Sequence, residues 1–96
     1  MGEIEEKIIS QNIKEVEHYI NLLFDNIDEI VSRLGSAKEK LLRIKGNSTT
    51  YTIVDGLVAT RKLEKSIVKY MPSVEHLKGC LEAIIRILVD MLANKT

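Results

Sequence analysis

A chain of 96 residues, with 14 Lys and Arg against 14 Asp and Glu and a formal charge of zero, has room for one domain, residues 1–96. It carries no basic field to draw phosphate backbones or acidic lipid, which argues against nucleic acid as a partner. The single cysteine, Cys80, excludes an internal disulfide, and the Met-Gly-Glu-Ile-Glu-Glu start has neither a basic nor an apolar region. The expectation is a cytoplasmic protein made without a classical signal peptide.

The first element is announced by spacing. From Ile9 the apolar residues run Ile13, Val16, Ile20, Leu23, Ile27, Ile30, Leu34, Ala37, Leu41 and Ile44, with intervals alternating four and three. That is a coiled-coil heptad. Its a positions are Ile13, Ile20, Ile27, Leu34 and Leu41, and its d positions are Ile9, Val16, Leu23, Ile30, Ala37 and Ile44; none is charged. A helix over about residues 3–45 follows. Gly35-Ser36 with Glu39 resembles a helix end and a capping box. The phase nevertheless holds across it, and Gly35 falls at an outward position where it costs about 1 kcal/mol relative to Ala. The helix is expected to continue through.

A polar run, Gly46-Asn47-Ser48-Thr49-Thr50-Tyr51, then breaks the period. Lys45, Gly46, Asn47 and Tyr51 are read as the turn, and Thr52 with Asp55 as the N-cap and acidic third position of the next helix. Asn47-Ser48-Thr49 also fits the glycosylation pattern, which has a consequence only on a secretory route.

The second helix, about residues 53–94, places Ile53, Thr60, Ile67, Val74, Leu81 and Leu88 at a, and Gly56, Leu63, Tyr70, Leu77, Ile84 and Met91 at d. Pro72 falls at an outer position and predicts a kink in a continuous helix. The apolar stretch from Leu81 to Leu92 is interrupted by Glu82, Arg86 and Asp90. It is shorter than the roughly 20 apolar residues a bilayer requires, so no membrane span is expected.

Together these elements predict an all-α protein, a long antiparallel two-helix hairpin. Helices of about 42 residues would each be about 63 Å long, making a rod. Such a hairpin buries only the stripe facing its partner, yet Tyr19, Leu22, Phe24, Val31, Leu57, Val68, Met71, Ile85, Val89 and Leu92 fall outside the a and d positions. Exposure would forfeit roughly 1.5 kcal/mol or more apiece. These ten are therefore read as a partner interface, covered by a second copy or another helical protein in a four-helix bundle. The competing reading is that the helices bend and bury these residues within the monomer.

Chemistry-bearing residues offer less. His18 and His76 lie at outer heptad positions with no second ligand one turn on, and Cys80 flanks the seam without a nearby base. Glu5-Glu6 and Asp28-Glu29 are outward charges, not carboxylates converging in a cleft. No catalytic, cofactor or metal site is read, and no enzyme is expected.

The combination of under a hundred residues, two long helices and a midpoint glycine resembles the small helical-hairpin proteins of bacterial type VII (ESX) secretion. Ile44-Lys45-Gly46 stands where that family has Trp-x-Gly, followed by Ser48 and Tyr51. The tryptophan is missing, and so is the family's C-terminal Tyr-x-x-x-Asp/Glu export motif; Phe24-x-x-x-Asp28 lies in the wrong helix to stand in for a partner motif. The chain is thus similar to the related hairpins that accompany LXG-type toxins. That resemblance implies an adaptor or targeting factor of a larger secreted effector, with export that uses no classical signal peptide. The alternative expectation is a cytoplasmic homodimeric regulator or scaffold.

Overall fold

The computed structural model describes residues 2–70 and 74–95. It contains four helices, α1 (Glu3–Leu23), α2 (Asp28–Gly46), α3 (Thr50–Tyr70) and α4 (Glu75–Lys95), with no strand among the described residues. The all-α class expected from the heptads holds. The two long helices do not: each half of the chain folds back on itself, and the four helices of one chain pack together as a bundle.

The first half breaks at residues 24–27. Phe24 ends α1 with φ −125° and ψ 15°, its N–H still donating to the Ile20 carbonyl at 2.8 Å. The Ile27 N–H then donates to the Phe24 carbonyl at 2.9 Å, closing a turn around Asp25 and Asn26, and Ile27 is extended with φ −104° and ψ 96°. Short polar side chains that bond to their own backbone favour such a turn over a helix interior. Asp28 and Glu29 follow in the first turn of α2, and Arg43 and Lys45 occupy its last. Both placements suit the helix dipole.

Gly35 does not interrupt α2, as its outward heptad position indicated. Its φ is not positive, and nothing lies within 4 Å of the place a Cβ would occupy. Gly35→Ala should therefore raise stability by about 1 kcal/mol, the ordinary penalty of glycine in a helix interior, measured as a higher urea midpoint with unchanged slope.

The central turn is shorter than the sequence suggested. Lys45 and Gly46 still belong to α2, Asn47 is its C-cap, and Tyr51 already lies in α3. The cap of α3 is Thr49, not Thr52. The Thr52 N–H donates to Thr49 Oγ1 at 3.1 Å and the Thr49 N–H to Thr52 Oγ1 at 3.0 Å, a reciprocal capping box. The Thr52 hydroxyl also donates to the Asn47 carbonyl at 2.5 Å, tying the loop to the helix it starts.

In the second half α3 ends at Tyr70 and α4 begins at Glu75, and the two lie against each other along their lengths. The expected single helix over 53–94 is replaced by an antiparallel pair. Pro72, where a kink was predicted, and Met71 fall outside the described residues.

Ion pairs fix the directions. Lys69 to Glu29 (3.5 Å) joins the end of α3 to the start of α2, while Lys40 to Asp55 (3.3 Å) joins the end of α2 to the start of α3. A hydrogen bond between His76 and Glu15 (3.1 Å) ties the start of α4 to the second half of α1. The helices therefore run alternately up and down, with α3 between α2 and α4, and α1 between α4 and α2. The principal extents are 38 × 20 × 19 Å. The radius of gyration is 12.7 Å, close to the roughly 12.5 Å of a compact chain of this length. The predicted rod is overturned.

Nearly all a and d residues converge on the shared core, which includes Val16, Ile20, Ile30, Leu34, Ile44, Ile53, Leu63, Ile67, Leu77, Leu81, Ile84 and Leu88. The tightest seam is α2 with α3, where Gly56 lets the helices close: a Cβ there would lie 2.6 Å from Ile44 Cδ1. Thr60 is the one fully buried polar side chain nearby, and its hydroxyl donates to the Gly56 carbonyl at 2.8 Å. No described helix is long and apolar enough to cross a membrane.

Candidate binding groove

The α1–α2 pair is the exception to the close packing, touching over a much shorter stretch than the other neighbouring pairs. Near their connecting turn the two helices are joined, and Lys38 of α2 pairs with Glu17 of α1. Beyond that ion pair the N-terminal half of α1 and the C-terminal half of α2 part. Between them lies an open groove of about 470 Å³.

Ile9 and Ile13 of α1 and Leu41 and Leu42 of α2 supply its apolar lining. The first three are also core residues, so the groove reaches down to the hydrophobic interior, whereas Leu42 is 69% exposed. Glu6, Lys14 and Glu17 stand on the α1 side and Lys38, Glu39 and Lys45 on the α2 side. Glu39 is held by Arg43 one turn on, at 2.7 Å. At the closed end Glu17 and Lys38 bridge the walls; toward the open end Glu6 and Lys45 edge opposite walls.

The ten residues assigned from sequence to a partner interface are not brought together. Phe24 is 2% and Ile85 5% exposed, so both belong to the monomer core, which corrects that assignment. Tyr19, Leu57 and Leu92 are half-buried and pack against the core. Leu22, Val31, Val68 and Val89 are exposed, one on each helix, and so do not make a single stripe. Met71 lies outside the described residues. The physical reason is the bundle itself: a helix with two neighbours buries a wider arc than a helix with one. Leu42 was passed over in the sequence reading; its only signal was an apolar residue directly beside a core residue, Leu41.

Of the titratable groups, Cys80 is buried, and burial, reinforced by the Glu15 carboxylate, pushes its thiol up, away from the nucleophilic thiolate. The Tyr19 ring meets His18 and His76 edge-on, with centroids 5.6 and 5.2 Å apart. Among the described residues no three His, Cys, Asp or Glu side chains gather to hold a metal ion. Between α3 and α4, burial and then the facing Glu82 raise Glu64 above the ordinary carboxylate range. Its Oε2 is buried without a hydrogen-bond partner.

A carboxyl whose folded value is raised costs stability above that value, and the cost disappears as pH falls through it toward the unfolded value. Glu82→Gln should therefore stabilise the protein at pH 7 by about 0.5 kcal/mol. The gain should vanish near pH 4, where an unfolded glutamate also takes up its proton. Thermal melts of both proteins across that range check it.

No protein-family model matches the chain, and comparison with curated proteins and with solved structures finds no match.

Proposed function

We propose that the protein is a non-enzymatic helical adaptor that takes an amphipathic helix of a larger partner protein into the α1–α2 groove. The observation that carries this reading is the parting of α1 from α2 over an apolar lining that continues into the core. Along α1 the groove spans residues 6–17, about 16 Å at 1.5 Å per residue, the length of three helical turns. An apolar trough between two charged rims is the shape that receives one face of a helix. At the open end, Glu6 on the α1 wall and Lys45 on the α2 wall favour an occupant with a basic residue toward α1 and an acidic one toward α2 at that end.

Partnership with an LXG-type effector of type VII secretion is the narrower form of the same proposal. The resemblance behind it drew on two helices of about 42 residues, which the bundle replaces by helices of 21, 19, 21 and 21 residues. Its remaining support is the midpoint Ile44-Lys45-Gly46 and the turn that follows.

A photo-crosslinker placed at Ser10, inside the groove, tests the adaptor reading in the host's own lysate. The expected result is a crosslink to one defined amphipathic segment, competed by the synthetic peptide of that segment. Leu42→Glu should weaken that peptide by about tenfold or more, equivalent to about 1.4 kcal/mol. It should leave the melting temperature in place, because Leu42 is largely solvated. Crosslinks indifferent to Leu42→Glu, or saturation of the groove by a long-chain fatty acid instead of the peptide, would overturn it.

Self-association is the second reading, favoured by a separate feature: Tyr51, Val54 and Val58 form an i, i+3, i+7 stripe on α3 and are 79, 42 and 44% exposed. It is no longer needed to complete a four-helix bundle. A native mass at the dimer that falls to the monomer in Val58→Glu would support it.

A further inference from the structure

Charged side chains that pair across the helix seams do so with opposite sign: Lys38 with Glu17, Lys40 with Asp55, and Lys69 with Glu29. Among the described residues two clusters of like charge stand out. One is Glu64 facing Glu82, where a proton taken up by the carboxyl relieves the repulsion. The other is basic. Arg33, Ser36 and Lys40 of α2 and Asp55, Val58, Ala59 and Lys62 of α3 surround a small recess of about 110 Å³.

Spacing explains the convergence. Arg33, Ser36 and Lys40 stand at i, i+3 and i+7 on one face of α2, and Asp55, Ala59 and Lys62 at i, i+4 and i+7 on the facing side of α3. Because the helices are antiparallel and Lys40 is opposite Asp55, the register puts Arg33 opposite Lys62. Asp55 is the only acid in the recess, and Lys40 engages it at 3.3 Å. Glu29, one turn before Arg33, is occupied by the Ser66 hydroxyl and by Lys69, with Arg33 a lesser influence. A guanidinium cannot release its proton as a carboxyl can take one up. An anion seated between Arg33 and Lys62 would be held by both cations.

We infer that this recess binds a tetrahedral oxyanion of the phosphate class. Arg33 offers a planar fork of N–H donors for two oxygens, Lys62 a point charge for a third, and Ser36 a hydroxyl donor. The site is separate from the α1–α2 groove and does not depend on the adaptor reading. By this register an acid at position 62 would face Arg33 with opposite sign, so the fold itself does not call for a lysine there.

The test is a titration of the intact protein with inorganic phosphate at low ionic strength, following the Arg33 Nε–H and backbone amides by NMR, with chloride at matched ionic strength as the control. Saturable shifts in the millimolar range, localised to Arg33, Ser36 and Lys62, are expected with phosphate and not with chloride. Glycerol phosphate competing at the same signals would identify a phosphomonoester as the natural source, and phosphate prevailing over it would identify the free ion. Arg33→Gln should weaken phosphate by about tenfold or more. Lys62→Glu should abolish the response while raising the melting temperature in phosphate-free buffer. Non-saturating shifts shared by chloride, an unchanged response in Arg33→Gln, or a lowered melting temperature in Lys62→Glu would overturn the site.

Discussion

Phe24→Ala is expected to lower the unfolding free energy by about 3–5 kcal/mol, while Leu23→Ala, one residue earlier, should cost under about 1 kcal/mol. The heptad alone gives the opposite order, because three residues after Ile20 the d position falls on Leu23. In the fold the helix has ended by Phe24, whose backbone leaves helical geometry and brings the ring into the core at 2% exposure, while Leu23 is left 48% exposed. A 96-residue domain has a total stability of roughly 5–14 kcal/mol, so losing this one ring removes a large share of it. Urea unfolding followed by circular dichroism measures both variants. Equal midpoints would mean that α1 continues through residue 24 and that the turn at Asp25-Asn26 does not form.

Periodicity records which residues face a core, and it does so in the same way whether that core is supplied by a distant helix or by the next one. Ile20, Phe24, Ile27 and Ile30 carry the apolar rhythm across a turn that consumes few enough residues to leave the phase nearly intact. The heptads therefore marked the buried positions almost residue by residue but could not distinguish one helix of about 42 residues from two of half that length. The local chemistry at Asp25-Asn26 did carry the distinction, and the apparent break at Gly35-Ser36 did not, since its backbone needs no left-handed turn. In the second half Tyr70, a d residue at the last described position of α3, is 44% exposed, while Cys80 and Ile85, outside the seam, are buried because α4 packs against both α1 and α3.

The groove was less legible. Its lining residues Ile9, Ile13 and Leu41 were all recognised as seam residues, but a seam residue and a groove residue differ only in how far two helices diverge. That distance is set by the packing of α1 on α4 and of α2 on α3, which no repeat within either helix encodes. The charge ladder across α2 and α3 was hidden for a related reason: Arg33 and Lys62 become neighbours only after the antiparallel register is known.

Ile85→Asp should unfold the protein outright. Ile85 is 5% exposed on α4, and a carboxylate placed there has no cation within the core to pair with, so it must be buried unpaired or the helix must leave the bundle. Losing the isoleucine alone costs about 2–5 kcal/mol, and desolvating the charge adds several more, which together reach the whole stability of a domain this size. The measured result would be a collapse of the cooperative melt at neutral pH, partly restored in acid as the new carboxyl takes up a proton. On the proposed adaptor reading Leu42→Glu should behave differently, keeping the melt and losing only the partner. A variant at position 85 that failed to bind would therefore say nothing about binding, and one that melted normally would show that α4 turns a different face to the core. The distinction locates function on this bundle by the residues whose charge reversal the fold tolerates.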